Sequence, residues 1–176
     1  MSNQVILWAT LIVPWASLFF MKKEDIKRFF PAGLLAGFMS IVVSEIGVTN
    51  GWWYFHETTY PFSFMATYTY GLFPILPMWI LKYTYGNFKL YIAVELVLNA
   101  IFSLFLLPWF SIRDITQFAA GLIAFILSTT IAVVVYRFQI WQEELFVTSD
   151  KNDLSVSAQP VAKPLSKAQD ENTDNK

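Results

Sequence analysis

The chain has no cysteine and a single histidine, His56. The first absence excludes a disulfide framework, a thiolate nucleophile and a Cys-ligated zinc; the second excludes a paired-histidine metal site, so no metal and no other cofactor is expected. Charge is scarce as well. Asp, Glu, Lys and Arg make up 14% of the 176 residues, little more than half the roughly 25% usual in soluble domains. Twelve basic residues stand against thirteen acidic ones, a net charge of −1, so no basic field exists to recruit nucleic acid. What the chain has in excess is apolar and aromatic side chains, 56% and 18% of the total. That balance reads as an integral membrane protein.

The excess is not spread evenly, because no aromatic residue follows Phe146. Residues 147–176 are polar, carry Pro160 and Pro164, and show no hydrophobic period. They offer too little apolar surface to offset the entropy of ordering them, so the sequence predicts a disordered tail at 147–176 behind a membrane domain at 1–146. A hydrocarbon core about 30 Å thick needs about 20 helical residues to cross. Five runs of that length contain no Lys or Arg: 3–21, 31–49, 63–81, 90–109 and 117–136. The expected fold is therefore all-α, an integral membrane bundle of five transmembrane helices. The first run lacks a basic leader and a small-residue cleavage site, so it reads as a retained helix, kinked at Pro14. Pro74 and Pro77 are expected to bend the third.

Orientation follows from the basic residues between the runs. Lys22, Lys23, Lys27, Arg28, Lys82, Lys89 and Arg137 fall on one side and Arg113 alone on the other, which predicts an external N-terminus and a cytoplasmic tail in the cell membrane. The segment 50–61, with Trp52, Trp53, Tyr54, Phe55 and Tyr60, then reads as an outer interfacial aromatic belt.

Helices in lipid associate through close packing and hydrogen bonds, so small residues on one face are informative. The second run places Gly33, Gly37, Ser40, Ser44 and Gly47 at spacings of four, three, four and three; the fifth offers Ala120, Ala124, Ser128 and Ala132 at spacings of four. Both helices are expected inside the bundle. Self-association through Gly33 and Gly37 is the alternative use of that face.

Two carboxylates lie inside the runs, Glu45 and Glu95. A charged group in a spanning helix costs about 2.5–3.5 kcal/mol on insertion scales, so each needs a partner or a proton and is a candidate site. Glu45 is near the outer end of its run, where it reaches the interface. Glu95 is followed by Asn99 and Ser103 on the same helical face, and a hydrogen-bonded network is expected if that stripe meets Ser128, Thr129 and Thr130. In the outer segment His56 and Glu57 start a zincin-like pattern, but Tyr60 stands where its second histidine belongs, so metalloprotease chemistry fails on ligand count. His56 is instead a candidate pH-sensitive cap over Glu45, and the aromatic residues around it a candidate stacking surface. Arg113 with Asp114 reads as a surface turn pair and Glu24 with Arg28 as an i,i+4 pair.

The stretches Arg28-Phe29-Phe30-Pro31-Ala32-Gly33-Leu34, Gly51-Trp52-Trp53-Tyr54 with Tyr60-Pro61, and Met78-Trp79-Ile80-Leu81-Lys82-Tyr83-Thr84-Tyr85-Gly86 resemble small multi-pass membrane proteins of endospore-forming Bacillota. The resemblance covers about residues 20–136 and carries no assigned activity. It implies a bacterial plasma-membrane location and a sporulation-related setting. A fainter likeness, to small helical proteins of the lycopene cyclase type, rests on acidic residues and a Trp-rich segment at helix ends; their paired acidic motif is missing here.

Three functions are compatible with these residues. The first is a non-enzymatic scaffold that sits in the bilayer and docks a membrane-protein partner or a second copy of itself, motivated by the lack of a nucleophile–base pair. The second is a small transporter or sensor that binds a proton, cation or small ligand at Glu95 and Asn99. The third is an intramembrane enzyme on an apolar substrate with Glu45 or Glu57 as acid.

Overall fold

The computed structural model describes residues 3–60, 67–118 and 121–157. Helix α1 spans Asn3–Ser17 and ends in a 3₁₀ turn, Leu18–Phe20; α2 spans Lys23–Thr49 and α3 Tyr68–Thr84. Helix α4, Phe88–Ile101, passes through a π turn at Phe102–Leu106 into α5, Leu107–Ile112, and α6 runs from Gly121 to Ser157. Strands β1, Trp53–Phe55, and β2, Thr116–Phe118, pair antiparallel with Trp53 opposite Phe118.

Four of these helices are long and apolar enough to cross a membrane: Asn3–Phe20, Lys23–Thr49, Phe88–Ile112 and Gly121–Leu145. Their outer faces suit lipid, since Val13, Phe38, Leu104 and Leu122 are each more than half exposed. The fifth expected span, 63–81, holds α3. Its 17 described residues rise about 26 Å, and residues 63–66 of that run lie outside the described residues. Helix α3 is the buried axis, packed by α1, α2 and α4.

Two prolines within these helices free carbonyls that lie against a neighbouring helix. Pro74 withholds an amide hydrogen from the Tyr70 carbonyl, and the Trp15 indole supplies one at 3.1 Å. Pro14 likewise frees the Thr10 carbonyl, and Gly71 of α3 lies so close that a Cβ there would come within 2.2 Å of it. Pro31 falls inside α2 rather than at its start. The helix begins two turns earlier with Glu24 and Asp25 in its first turn, where acidic side chains complement the helix dipole, and Asp25 pairs with Lys82 at 3.4 Å.

Tight turns order the ends. Gly86, at φ +89°, takes a conformation that L side chains rarely adopt, and Asn87 then caps α4 by accepting from the Leu90 amide at 3.1 Å. At the opposite end the ribbon joins two connections that the sequence treats as separate loops. Glu57 accepts from Asn3 Nδ2 at 2.6 Å and Gln4 Nε2 at 2.9 Å, and Asn3 also donates to the Arg113 carbonyl at 3.0 Å, so the start of α1 is clamped to both connections.

One apolar core joins α2, α3, α4 and α6 through Phe29, Met78, Tyr91 and Tyr136; a second, at the ribbon end, joins Leu7, Tyr68, Phe110 and Ile115. Residues up to Trp141 form one compact unit and Gln142 onward another. Within the second, α6 stays helical to Ser157, so residues 147–157 of the expected disordered tail are helical. Residues 158–176 lie outside the described residues.

Candidate functional site

Two small-residue stripes meet different fates. On α2, Gly33 and Gly37 back onto α3: a Cβ at Gly33 would stand 2.6 Å from the Pro74 carbonyl oxygen, and one at Gly37 3.0 Å from the Pro74 ring. That face is spent on packing within the chain. The stripe on α6 works otherwise. Helix α6 packs less closely on its neighbours than α2 does on α3, and aromatic side chains fill the contact with α4. Tyr91 and Tyr136 lie with ring centroids 4.8 Å apart, and the Tyr91 hydroxyl donates to the Ala132 carbonyl at 3.1 Å. Above these rings the facing residues are small, and the gap stays open.

The result is a pocket of about 130 Å³. Ala124, Ser128 and Ala132 line it from α6, Ala36 and Ser40 from α2. Ala124 and Ser128, expected on a helix-packing face, thus line this space. Ala120 lies outside the described residues.

Glu95, Asn99 and Ser103 all reach this pocket from α4 and the π turn. Glu95 is buried at 8% exposure, with Tyr91 one turn below it on the same face. The Asn99 Nδ2 is buried with no hydrogen-bond partner. The expected network with α6 takes a different form, because the hydroxyls there turn to their own backbone: Ser128 and Thr129 donate to the Phe125 carbonyl at 3.0 and 2.8 Å, and Thr130 to that of Ile126 at 2.9 Å. Serine and threonine in helices make this bond readily. The Glu95 carboxyl keeps the Tyr91 hydroxyl as its hydrogen-bond partner, and the Asn99 amide is left facing an apolar space.

Glu45 is not among these groups, being exposed on the outer side of α2. His56 is exposed and 3.4 Å from Gln117 Oε1 across the ribbon, so it does not cap Glu45. Glu57 is occupied by Asn3 and Gln4. Among the described residues no group of three His, Cys, Asp or Glu side chains is placed to hold a metal ion.

The aromatic belt also needs correction. Tyr54 is exposed and Trp52 half-buried, but Trp53 is only 3% exposed. Its ring lies over Gly47, where any Cβ would overlap it, and its Nε1 donates to the Ser44 carbonyl at 3.2 Å. Burial of Ser44 and Gly47 is thus the seat of an inward-turned indole, which closes the ribbon end of the pocket.

Of two further features of the wall, the sequence points to Pro77 and passes over the π turn. Pro77 lines the pocket together with Phe73, whose carbonyl it deprives of a helical partner. The π turn at Phe102–Leu106 carries Phe102 and Ser103 into the pocket wall. Its signal is Pro108, two residues beyond the turn: a proline inside a long apolar run disturbs the hydrogen-bond register of the preceding turn. Comparison with protein families, with curated proteins and with solved structures finds no match for this chain.

Proposed function

We propose that the chain is a multi-pass protein of the bacterial cell membrane, N-terminus outside and tail cytoplasmic, that binds a small ligand inside its bundle as a sensor or carrier. The observation that carries this reading is the pocket itself, with a buried carboxyl and an unpartnered buried amide one turn apart on its wall. A buried polar group without a partner costs about 1–3 kcal/mol. A ligand that enters the space can supply the missing partner. The Lys and Arg bias supports the orientation, and the outward apolar side chains support the membrane setting.

A scaffold reading needs another surface, since Gly33 and Gly37 are covered by Pro74. The enzyme reading has lost its carboxylates: Glu45 faces away from the pocket and Glu57 is held by α1.

The test is a thermal-unfolding screen of purified protein in nanodiscs against small neutral, cationic and anionic molecules. A ligand that binds the folded form at 100 times its Kd stabilises it by about 2.7 kcal/mol. At least one class is expected to raise the midpoint in the wild type and not in Ser128→Phe, which fills the pocket. Equal responses from the two proteins across the whole panel would overturn the reading.

A further inference from the structure

We infer that the pocket takes a small, uncharged ring compound bearing one hydroxyl group, a phenol or an aryl alcohol. This deepens the proposed ligand-binding role and rests on it.

Size sets the first limit. An apolar cavity of about 150 Å³ accommodates benzene, so about 130 Å³ limits the enclosed part of a ligand to no more than one ring. The shape of the wall sets the second. Tyr68, Phe73 and Phe102 line the pocket and meet one another edge to face, with centroids 5.7–5.9 Å apart. Trp53 closes the same space. Flat rings pack against such a cluster in offset or edge-on geometry, worth about 0.5–1.5 kcal/mol beyond the buried area.

The head group follows from the hydrogen-bond inventory. Asn99 brings an N–H that lacks an acceptor, and Glu95 brings a carboxyl with an acceptor oxygen whether or not it holds a proton. The two lie at i and i+4, on one face and one turn apart. A hydroxyl is the smallest group that accepts from the amide and donates to the carboxyl at once. An ammonium group donates only, leaves the Asn99 N–H unpaired and must shed its hydration to enter. A carboxylate likewise must shed its hydration to enter an apolar space.

The experiment uses the full chain in nanodiscs and four probes that share a ring: benzyl alcohol, toluene, benzylamine and benzoate. Apparent affinities come from the concentration dependence of the unfolding midpoint, with Ser128→Phe as the control for probe dissolved in lipid. Benzyl alcohol is expected to bind wild type about tenfold more tightly than toluene, one buried hydrogen bond's worth, and more tightly than either charged probe. In Asn99→Leu that advantage is expected to fall to about twofold or less, while in Glu95→Gln, which keeps an acceptor carbonyl, it persists. Where Asn99→Leu does not fold, Glu95→Leu carries the same comparison with the same expected loss. Toluene equal to benzyl alcohol, or a charged probe tighter than either, would overturn the ligand class while leaving the pocket's binding role standing. If no probe separates wild type from Ser128→Phe, and the broader screen does not either, both readings fall together.

Discussion

Trp15 shows how a single side chain in this protein answers a defect elsewhere. It lies on the α1 face toward lipid, 39% exposed, yet its indole supplies the hydrogen that Pro74 takes away from the Tyr70 carbonyl. In hydrocarbon no water is at hand to do so. Trp15→Phe is expected to destabilise the protein by about 1–3 kcal/mol, the cost of an unsatisfied buried carbonyl. In a Pro74→Ala background, where the backbone amide returns, the same substitution is expected to cost well under half as much. A double-mutant cycle by unfolding in detergent measures the coupling; additive effects would show that the indole and the proline act independently. From the sequence alone Pro74 reads as a bend and Trp15 as one apolar residue in a run. The relation between them exists only once α1 and α3 are set side by side.

At the scale of elements, the spacing between helices decides where the bundle is solid and where it is open. Helices α1, α2 and α3 approach at glycines. At Gly71 a Cβ would meet backbone, the Thr10 oxygen at 2.2 Å and the Leu11 Cα at 2.7 Å, and neither gives way without moving a helix. At Gly33 two of the three nearest atoms belong to the flexible Met78 side chain. Gly121 has nothing within 4 Å. Gly71→Ala is therefore expected to be the most damaging of the three, by about 3 kcal/mol. Gly33→Ala should cost about 1–2 kcal/mol, and Gly121→Ala should be nearly neutral. Unfolding midpoints of the three variants check the order. The α2 stripe was legible because a repeat of small residues on one face has a direct physical meaning in lipid. The α6 stripe carries the same pattern and lines the pocket. Small residues permit close approach but do not compel it, and the rings of Tyr91 and Tyr136 fill the contact between α4 and α6.

At the scale of the whole molecule, the sequence reveals the membrane setting more readily than the site. The apolar runs located the helices to within a few residues, except that α2 begins eight residues before its run and α6 continues 21 residues past the end of its own. The stripe Glu95, Asn99 and Ser103 was visible from helical spacing, but its cavity was not, because a cavity depends on what stands opposite. Trp53 read as an interfacial anchor because tryptophan favours that depth; its inward turn depends on β1 pairing with β2, which joins segments far apart in the chain. Orientation has a direct test, made clean by the lack of native cysteine. Tyr60 at the ribbon end and Tyr83 at the basic end are 89% and 70% exposed. A thiol reagent that does not cross membranes is expected to label Tyr60→Cys on intact cells, and Tyr83→Cys only after the cells are opened. The reverse pattern would invert the topology.

The central claim is that Glu95 belongs to a ligand site within the bundle. Infrared difference spectroscopy of the protein in nanodiscs, with Glu95→Gln to identify the Glu95 carboxyl bands, tests it most directly. On addition of benzyl alcohol those bands are expected to shift in the wild type and to be missing from the difference spectrum of Glu95→Gln. Bands that stay in place at probe concentrations that saturate the thermal response would contradict the account and return Glu95 to packing.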